Sequence, residues 1–196
     1  MKNFIKAGLV AVAMLFCVSV SAQISFGVKA GVNLSNYGGD VDDNKAKAGF
    51  NAGVTAEIGL PLTNLYVLSG LEYTTKGAKY DGNNYSYNSN ANFLQLPVHV
   101  GYRVSALETL GVSFHAGPYF AYGIGGKTGK GEAKNDTFDD GMLKKFDFGL
   151  GAGVGLELGK IGVGLGYDFG LANLYDGEGN DKVRTMNAYL SVGYKF

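Results

Sequence analysis

Tryptophan is absent from this chain of 196 residues, which has three prolines, two histidines and a single cysteine. That cysteine, Cys17, lies in an N-terminal segment expected to be removed, so the remaining chain holds no disulfide and no thiol chemistry. Phe16 is too bulky for a lipoprotein junction, which needs a small residue before the cysteine. An excess of either charge is also missing. There are 17 basic and 17 acidic residues, and taking Lys2 and Lys6 from the basic set leaves 15 against 17. Such a balance gives no sign of a nucleic-acid partner. Long apolar runs are confined to the N-terminus. Residues 7–20 form a run too short, and too poorly flanked by charge, for a transmembrane helix. Phosphate-binding loops are missing too. The glycine-rich stretch 148–171 contains no G-x-G-x-x-G, and Gly159-Lys160 is followed by Ile161 rather than Ser or Thr.

Glycine is abundant instead, at 32 residues. Gly149, Gly151, Gly153 and Gly155 alternate with Phe148, Leu150, Ala152, Val154 and Leu156. Gly162, Gly164 and Gly166 alternate with Ile161, Val163, Leu165 and Tyr167. A period of two is a strand with one apolar face and one face of glycine. Hydrophobic residues make up 46% of the chain, which argues for a folded domain rather than low-complexity disorder.

The first 22 residues form a separate unit. Lys2 and Lys6 precede the apolar run, and Val20-Ser21-Ala22 places small residues before Gln23. This is the pattern of a secretory signal peptide cleaved after Ala22, leaving residues 23–196 as the folded domain.

From Gln23 onward the period-two pattern predicts eight strands, near 24–34, 48–60, 65–78, 92–104, 110–124, 144–158, 161–172 and 185–196. Short connections at 61–64, 105–108 and 159–160 alternate with long polar ones at 35–47, 79–91, 125–143 and 173–184. A meander of eight strands with turns at one end and loops at the other is the layout of an up-and-down antiparallel transmembrane β-barrel. One face of these strands is apolar, as in Phe26, Val28, Ala30, Val32 and Leu34. The other carries glycine together with Lys29, Glu57, Glu72, Lys76, His99, Arg103, Asp147, Glu157, Asp168 and Lys195. A soluble barrel puts its apolar face inside. Here the glycine and charge suit the inside and the apolar face suits lipid, where closure satisfies every backbone group without water. Tyr66, Tyr73, Tyr102, Tyr122, Tyr167 and Tyr194 are expected to form interfacial girdles.

Three segments carry a resemblance: NFLQLPVHVGYRV at 92–104, FDFGLGAGV at 146–154 and GVKAGVNL at 27–34. They resemble the Bacteroidetes outer-membrane beta-barrel family that includes PorT, a group of OmpA- and OmpX-like small barrels. The Ala22-Gln23 junction and the terminal Phe196 match the same class. The resemblance implies a cell-envelope protein in the outer membrane, in contact with lipid. It implies that Phe196 is the signal read by the barrel-assembly machinery. Many members of that family have no assigned biochemical activity, and no cofactor and no catalytic residue is expected here.

The candidate site is the polar inner face. His99 and His115 face each other if Val104 lies opposite Leu110, and two imidazoles invite a metal, but no third ligand is placed beside them. Lys29, Glu57, Glu72, Lys76, Arg103, Glu157 and Asp168 read either as an ion path or as an internal salt-bridge network. Eight strands leave room only for side chains, which favours the network. A porin-like channel for ions or small solutes remains the alternative. Ser113 and His115 share a face and are the candidate pair for a barrel enzyme, with no acid beside them. Asp40, Asp42, Asp43 and Asn44, then Asp136, Asp139 and Asp140, then Asp176, Glu178 and Asp181 are loop residues without calcium-loop spacing. The long loops are where an extracellular ligand or surface partner is expected. Pro97 and Pro118 fall inside strands and predict bulges or broken ladder bonds.

Overall fold

The computed structural model describes residues 23–39, 44–82, 85–105, 109–130, 133–138, 143–175 and 182–196, so the expected signal segment lies outside the described residues. The strands are β1 (Gln23–Gly39), β2 (Asn44–Gly59), β3 (Leu65–Gly82), β4 (Tyr85–Ser105), β5 (Leu110–Lys130), β6 (Ala133–Asp136), β7 (Phe146–Leu158), β8 (Ile161–Gly170) and β9 (Val183–Lys195). They pair antiparallel in the order β4-β3-β2-β1-β9-β8-β7-β5-β6, and a further pairing of β4 with β5 closes the ring. Eight strands make the wall of an up-and-down barrel. The short β6 folds back on the upper part of β5, pairing Lys127 with Asp136 and Lys130 with Ala133. Among the described residues no helix is long and apolar enough to cross a membrane, and it is the strands that make the wall.

Alternation decides which side chain faces where. On the outside Phe26, Val32, Leu156 and Leu165 are each more than half exposed. On the inside Glu72, Lys76, His99, Asp147 and Asp168 are buried. The stretch from Phe146 to Leu158, at about 3.4 Å per residue and tilted by about 40°, crosses roughly 30 Å. That is the height of an apolar band with its aromatic rims. Phe50 packs on Tyr73 at 5.4 Å and Phe146 on Phe148 at 6.2 Å toward the loop end. Tyr194 packs on Phe196 at 5.8 Å at the turn end. Tyr102, Tyr122, Tyr167 and Tyr194 are exposed on the outer wall, but Tyr66 is not part of a girdle. It is buried in the lumen, because it shares the parity of Glu72 on β3.

The wall is taller than the apolar pattern. The connections expected at 35–47, 79–91 and 125–143 are largely strand, since β1 runs to Gly39, β3 and β4 pair up to Gly82 and Tyr85, and β5 continues to Lys130. Above the lipid the outer face of a strand meets water while inner residues such as Tyr37, Ala78 and Ser89 stay buried, so the apolar outer half of the period-two signal stops while the backbone ladder continues. The two-residue turn at Gly159-Lys160 uses a left-handed glycine, φ +57° at Gly159.

The prolines interrupt the ladder without bulging it. Between β3 and β4 the pairing skips from Ser69/Val98 to Glu72/Gln95, beside Pro97. Between β4 and β5 it skips from Pro97/Tyr119 to Val100/Ala116, beside Pro118. The register is unchanged across both gaps. Each proline lacks the N–H its neighbour would accept, and Ser69 Oγ donates to the Pro97 carbonyl at 2.8 Å. The register shifts lie elsewhere, at Ala46/Asn51 and at Asn92/Phe93.

Candidate functional site

Large inner residues stand opposite glycine. Lys29 lies between Gly53 and Gly193, His115 between Gly101 and Gly153, and Glu157 between Gly111 and Gly162. An eight-stranded lumen is narrow, so each long side chain needs a neighbour without one. The glycines of 148–171 therefore serve mainly adjacent strands rather than the opposite wall. A Cβ on Gly153 would stand 2.6 Å from His115 Nε2, and one on Gly155 would stand 2.6 Å from Ser113 Oγ. A Cβ on Gly166 or Gly101 would run into the ring of Tyr189 or Tyr66. Gly101→Ala is thus expected to cost about 1–3 kcal/mol by overpacking. Gly162→Ala, whose nearest neighbour is 3.8 Å away, should stay within about 0.5 kcal/mol of the parent. Urea unfolding in detergent micelles reads both.

At the turn end four charges join alternate strands of the ring. Glu57 on β2, Arg103 on β4, Glu157 on β7 and Lys195 on β9 alternate in sign around the lumen. Arg103 Nη2 donates to Glu57 Oε1 at 2.7 Å and to Glu157 Oε1 at 3.0 Å. Lys195 Nζ donates to Glu57 Oε2 at 2.9 Å and to Glu157 Oε2 at 3.0 Å. Each cation thus holds both carboxylates. The Tyr66 ring supports the guanidinium at 4.7 Å.

At mid-height Lys29 Nζ meets Glu72 Oε1 at 2.7 Å and lies 5.4 Å from the centre of the Tyr189 ring. Gln95 Nε2 donates to Asp168 Oδ2 at 3.0 Å. His99 and His115 stack with ring centres 5.1 Å apart and their Nδ1 atoms 2.9 Å apart. They are not directly opposite, however. Val104 pairs with Val112, so His115 faces Gly101 and the two rings meet diagonally. Among the described residues no group of three His, Cys, Asp or Glu side chains is placed to hold a metal ion.

Higher still, Asp147 is fully buried. Its Oδ2 accepts from Thr185 at 2.8 Å, from Tyr119 at 3.3 Å and from Lys76 at 3.3 Å. Lys76 is itself 1% exposed and lies over the rings of Tyr119 and Phe93. Above this layer Phe93, Phe138, Leu143, Ala172, Leu174 and Tyr37 form a buried apolar cluster. Backbone bonds from Lys144 to Leu174 and from Leu174 to Val183 tie it to the rim. Among the described residues this cluster fills the loop end of the lumen. At the turn end a cavity of about 130 Å³ remains, against Gly155, Gly162 and Gly164 and lined by Lys29, Ser113 and His115.

The eleven charged and histidine residues singled out from the sequence, His115 and Lys195 included, thus lie in the lumen. Gln95, Asn187 and Tyr189 stand on the inner face that alternation assigns them, and Tyr119 and Thr185 join them there, although none of the five was singled out for the site. Phe196 ends the chain on the outer wall, its N–H bonded to the Phe26 carbonyl at 2.9 Å. Of the loop acids, Asp136 accepts the Phe138 N–H at 3.1 Å, and Asn44 donates to the Tyr37 carbonyl. Asp40, Asp42, Asp43, Asp139, Asp140, Asp176, Glu178 and Asp181 lie outside the described residues.

A family model described as outer membrane protein beta-barrel domain matches residues 19–176. Neisserial surface protein A, NspA, is 14% identical, with 89% of this chain and 99% of that one covered at a TM-score of 0.52. Ail, the attachment invasion locus protein of Yersinia pestis, was solved with the heparin analogue sucrose octasulfate. It is 16% identical, with 89% and 99% covered at a TM-score of 0.48. The N-terminal barrel domain of Pseudomonas aeruginosa OprF is 15% identical, with 90% and 100% covered at 0.40. At these identities the likeness to NspA concerns the fold alone. The comparison with curated proteins gives no match.

Proposed function

This chain belongs to the outer membrane protein beta-barrel domain family, and we propose that it is a non-conducting outer-membrane barrel whose role is structural or surface-binding. Its working surface is the extracellular wall of β1 to β6. The observation that carries this reading is the filled lumen. Among the described residues three layers of paired charge, with an apolar cluster above them, occupy the lumen, which supports a barrel that does not conduct. Such filling speaks for the non-conducting reading over the channel alternative. The tall strand wall supports the rest. From Tyr73 to Gly82 strand β3 adds about 30 Å of paired backbone beyond the outermost lipid-facing aromatics. A ladder held in this way presents side chains at fixed spacing, as a docking surface needs.

The enzyme reading finds little support. His115 meets His99 through Nδ1, and among the described residues no hydrogen bond joins it to Ser113 or to a carboxylate. Export through residues 1–22 with cleavage after Ala22, and delivery to the barrel-assembly machinery through Phe196, belong to the same proposal.

The test combines two measurements on the detergent-refolded chain. Unboiled protein is expected to migrate differently from boiled protein, as closed barrels do. Planar bilayers holding it should show no stable conductance steps. Regular single-channel steps would overturn the non-conducting reading.

A further inference from the structure

Lysines gather on one patch of the outer wall above the lipid band. Lys45 on β2 lies directly opposite Lys79 on β3, and both are exposed. Like charges in direct cross-strand contact work against a sheet. Lys79 in turn lies opposite Asn88 on β4. Lys47 passes over Gly77, which is paired with Asn90, and its Nζ donates to the Ser89 carbonyl at 3.1 Å. Lys127 on β5 stands exposed beside its cross-strand neighbour Asp136 on β6. Among the described residues Asp136 is the carboxylate that this patch sets against the four lysines.

A cleft of about 420 Å³ opens in this patch, lined by Lys47, Lys127 and Asp136 together with Asn88, Asn90 and Asn92. That volume is within the range of small-ligand sites, roughly 300–1,000 Å³. The three asparagines alternate with Ser89 and Ala91, which are buried on the inner side, so they share the outer face. An amide both donates and accepts, as a sugar hydroxyl does. Asn92 Oδ1 is buried and has no hydrogen-bond partner, so the cleft holds an acceptor still to be satisfied. The height of the cleft is fixed by the residues below it. Asn92 lies two residues, about 7 Å, beyond Leu94, which among the described residues is the last exposed apolar side chain of β4 toward the loop end. On β5 that place is taken by Ile124, three residues before Lys127. The cleft therefore faces sideways at the level of lipid headgroups, not upward into the medium.

We propose that this cleft binds the phosphorylated sugar headgroup of an outer-leaflet glycolipid. Lys47 and Lys127, with Lys79 beside them, meet the phosphate, and the three asparagine amides meet the sugar hydroxyls. The inference rests on the outer-membrane reading and goes beyond it by naming a ligand and its place. Lysines alone would suit any anionic lipid, since an ammonium is a point charge. The amide ladder adds recognition of hydroxyls. The sideways opening favours a headgroup carried by the membrane over a sugar free in the medium, because the lipid's acyl chains would continue down the wall along Phe50, Leu94 and Ile124.

The experiment is urea unfolding of the full barrel in zwitterionic micelles as one of three additives is raised: a diphosphorylated glucosamine-disaccharide lipid (lipid A), phosphatidylglycerol, or soluble glucosamine phosphate. A ligand that binds only the folded state raises its stability with concentration. Lipid A should raise the midpoint in a saturating way and at lower mole fractions than phosphatidylglycerol, and glucosamine phosphate should leave it unchanged. Lys79→Gln combined with Lys127→Gln alters two exposed side chains, so the barrel should fold. Its apparent affinity for lipid A should fall about 30-fold, a factor of about five for each lysine near an anionic surface. Asn88→Ala combined with Asn90→Ala should lose the preference for lipid A while the response to phosphatidylglycerol stays. Equal responses of the parent to the two lipids would reduce the patch to charge attraction and overturn the sugar site. An equal response to glucosamine phosphate would overturn the membrane as the source of the ligand. No response from a barrel that still changes mobility on boiling would sink this site and leave the outer-membrane reading standing. A chain that neither folds nor changes mobility in micelles would take both down.

Discussion

Lys76→Met is expected to destabilise this barrel by about 3–5 kcal/mol, because it strands Asp147 in the most enclosed part of the lumen. The two groups are 1% and 0% exposed and meet at 3.3 Å. Thr185 and Tyr119 still donate to Asp147 after the change, but they are neutral and its Oδ1 has no partner even in the parent. Removing both charges together has a different sign. Lys76→Met combined with Asp147→Leu leaves an apolar contact under Phe93 and Tyr119, and replacing a buried ion pair in this way is often neutral or favourable. The double variant should therefore recover most of the loss. A cycle of single and double variants, followed by urea unfolding in micelles, checks it. Additive losses would mean that the pair does not act as a unit.

The same residues show what could be read before any coordinates. Alternation alone turns Lys76, Asp147 and Asp168 inward and Val32, Leu156 and Leu165 outward, and it does so in every wall strand. Tyr66 was legible by that rule too, since it has the parity of Glu72, yet its residue type suggested a girdle. Side-chain type misleads where an aromatic ring fills a lumen under an arginine. The meeting of His99 and His115 is a different case. Opposing Val104 with Leu110 or with Val112 leaves every face unchanged, because the two registers differ by two residues. Periodicity therefore cannot choose between them, and only the length of the turn does. The height of the wall was hidden for a third reason. Beyond Tyr73 and Leu94 the strands carry polar residues on the side away from the lumen, so backbone pairing persists where the apolar signal has ended. The partner layers, such as Lys195 with Glu57 from β9 and β2, depend on closure, and no local pattern encodes which strand lies across the lumen.

Leu165→Arg separates a lipid-facing wall from a water-facing one by the size of its effect. Leu165 sits midway along β8, between Val154 and Leu190, and is 57% exposed on the outer face. On a soluble barrel an exposed leucine changed to arginine is close to neutral, within about 0.5 kcal/mol. At the midplane of a bilayer the same change costs about 2–4 kcal/mol. The loss should shrink for Ile161→Arg, which lies at the turn end beside Tyr194 and Lys160, near the headgroups. Folding into phospholipid vesicles, followed by denaturant unfolding, measures both. A depth-dependent penalty is expected, large at Leu165 and about 0–1 kcal/mol at Ile161. Equal and negligible effects at the two positions would mean that water, not lipid, bathes this face. The apolar exterior would then have to be covered by protein.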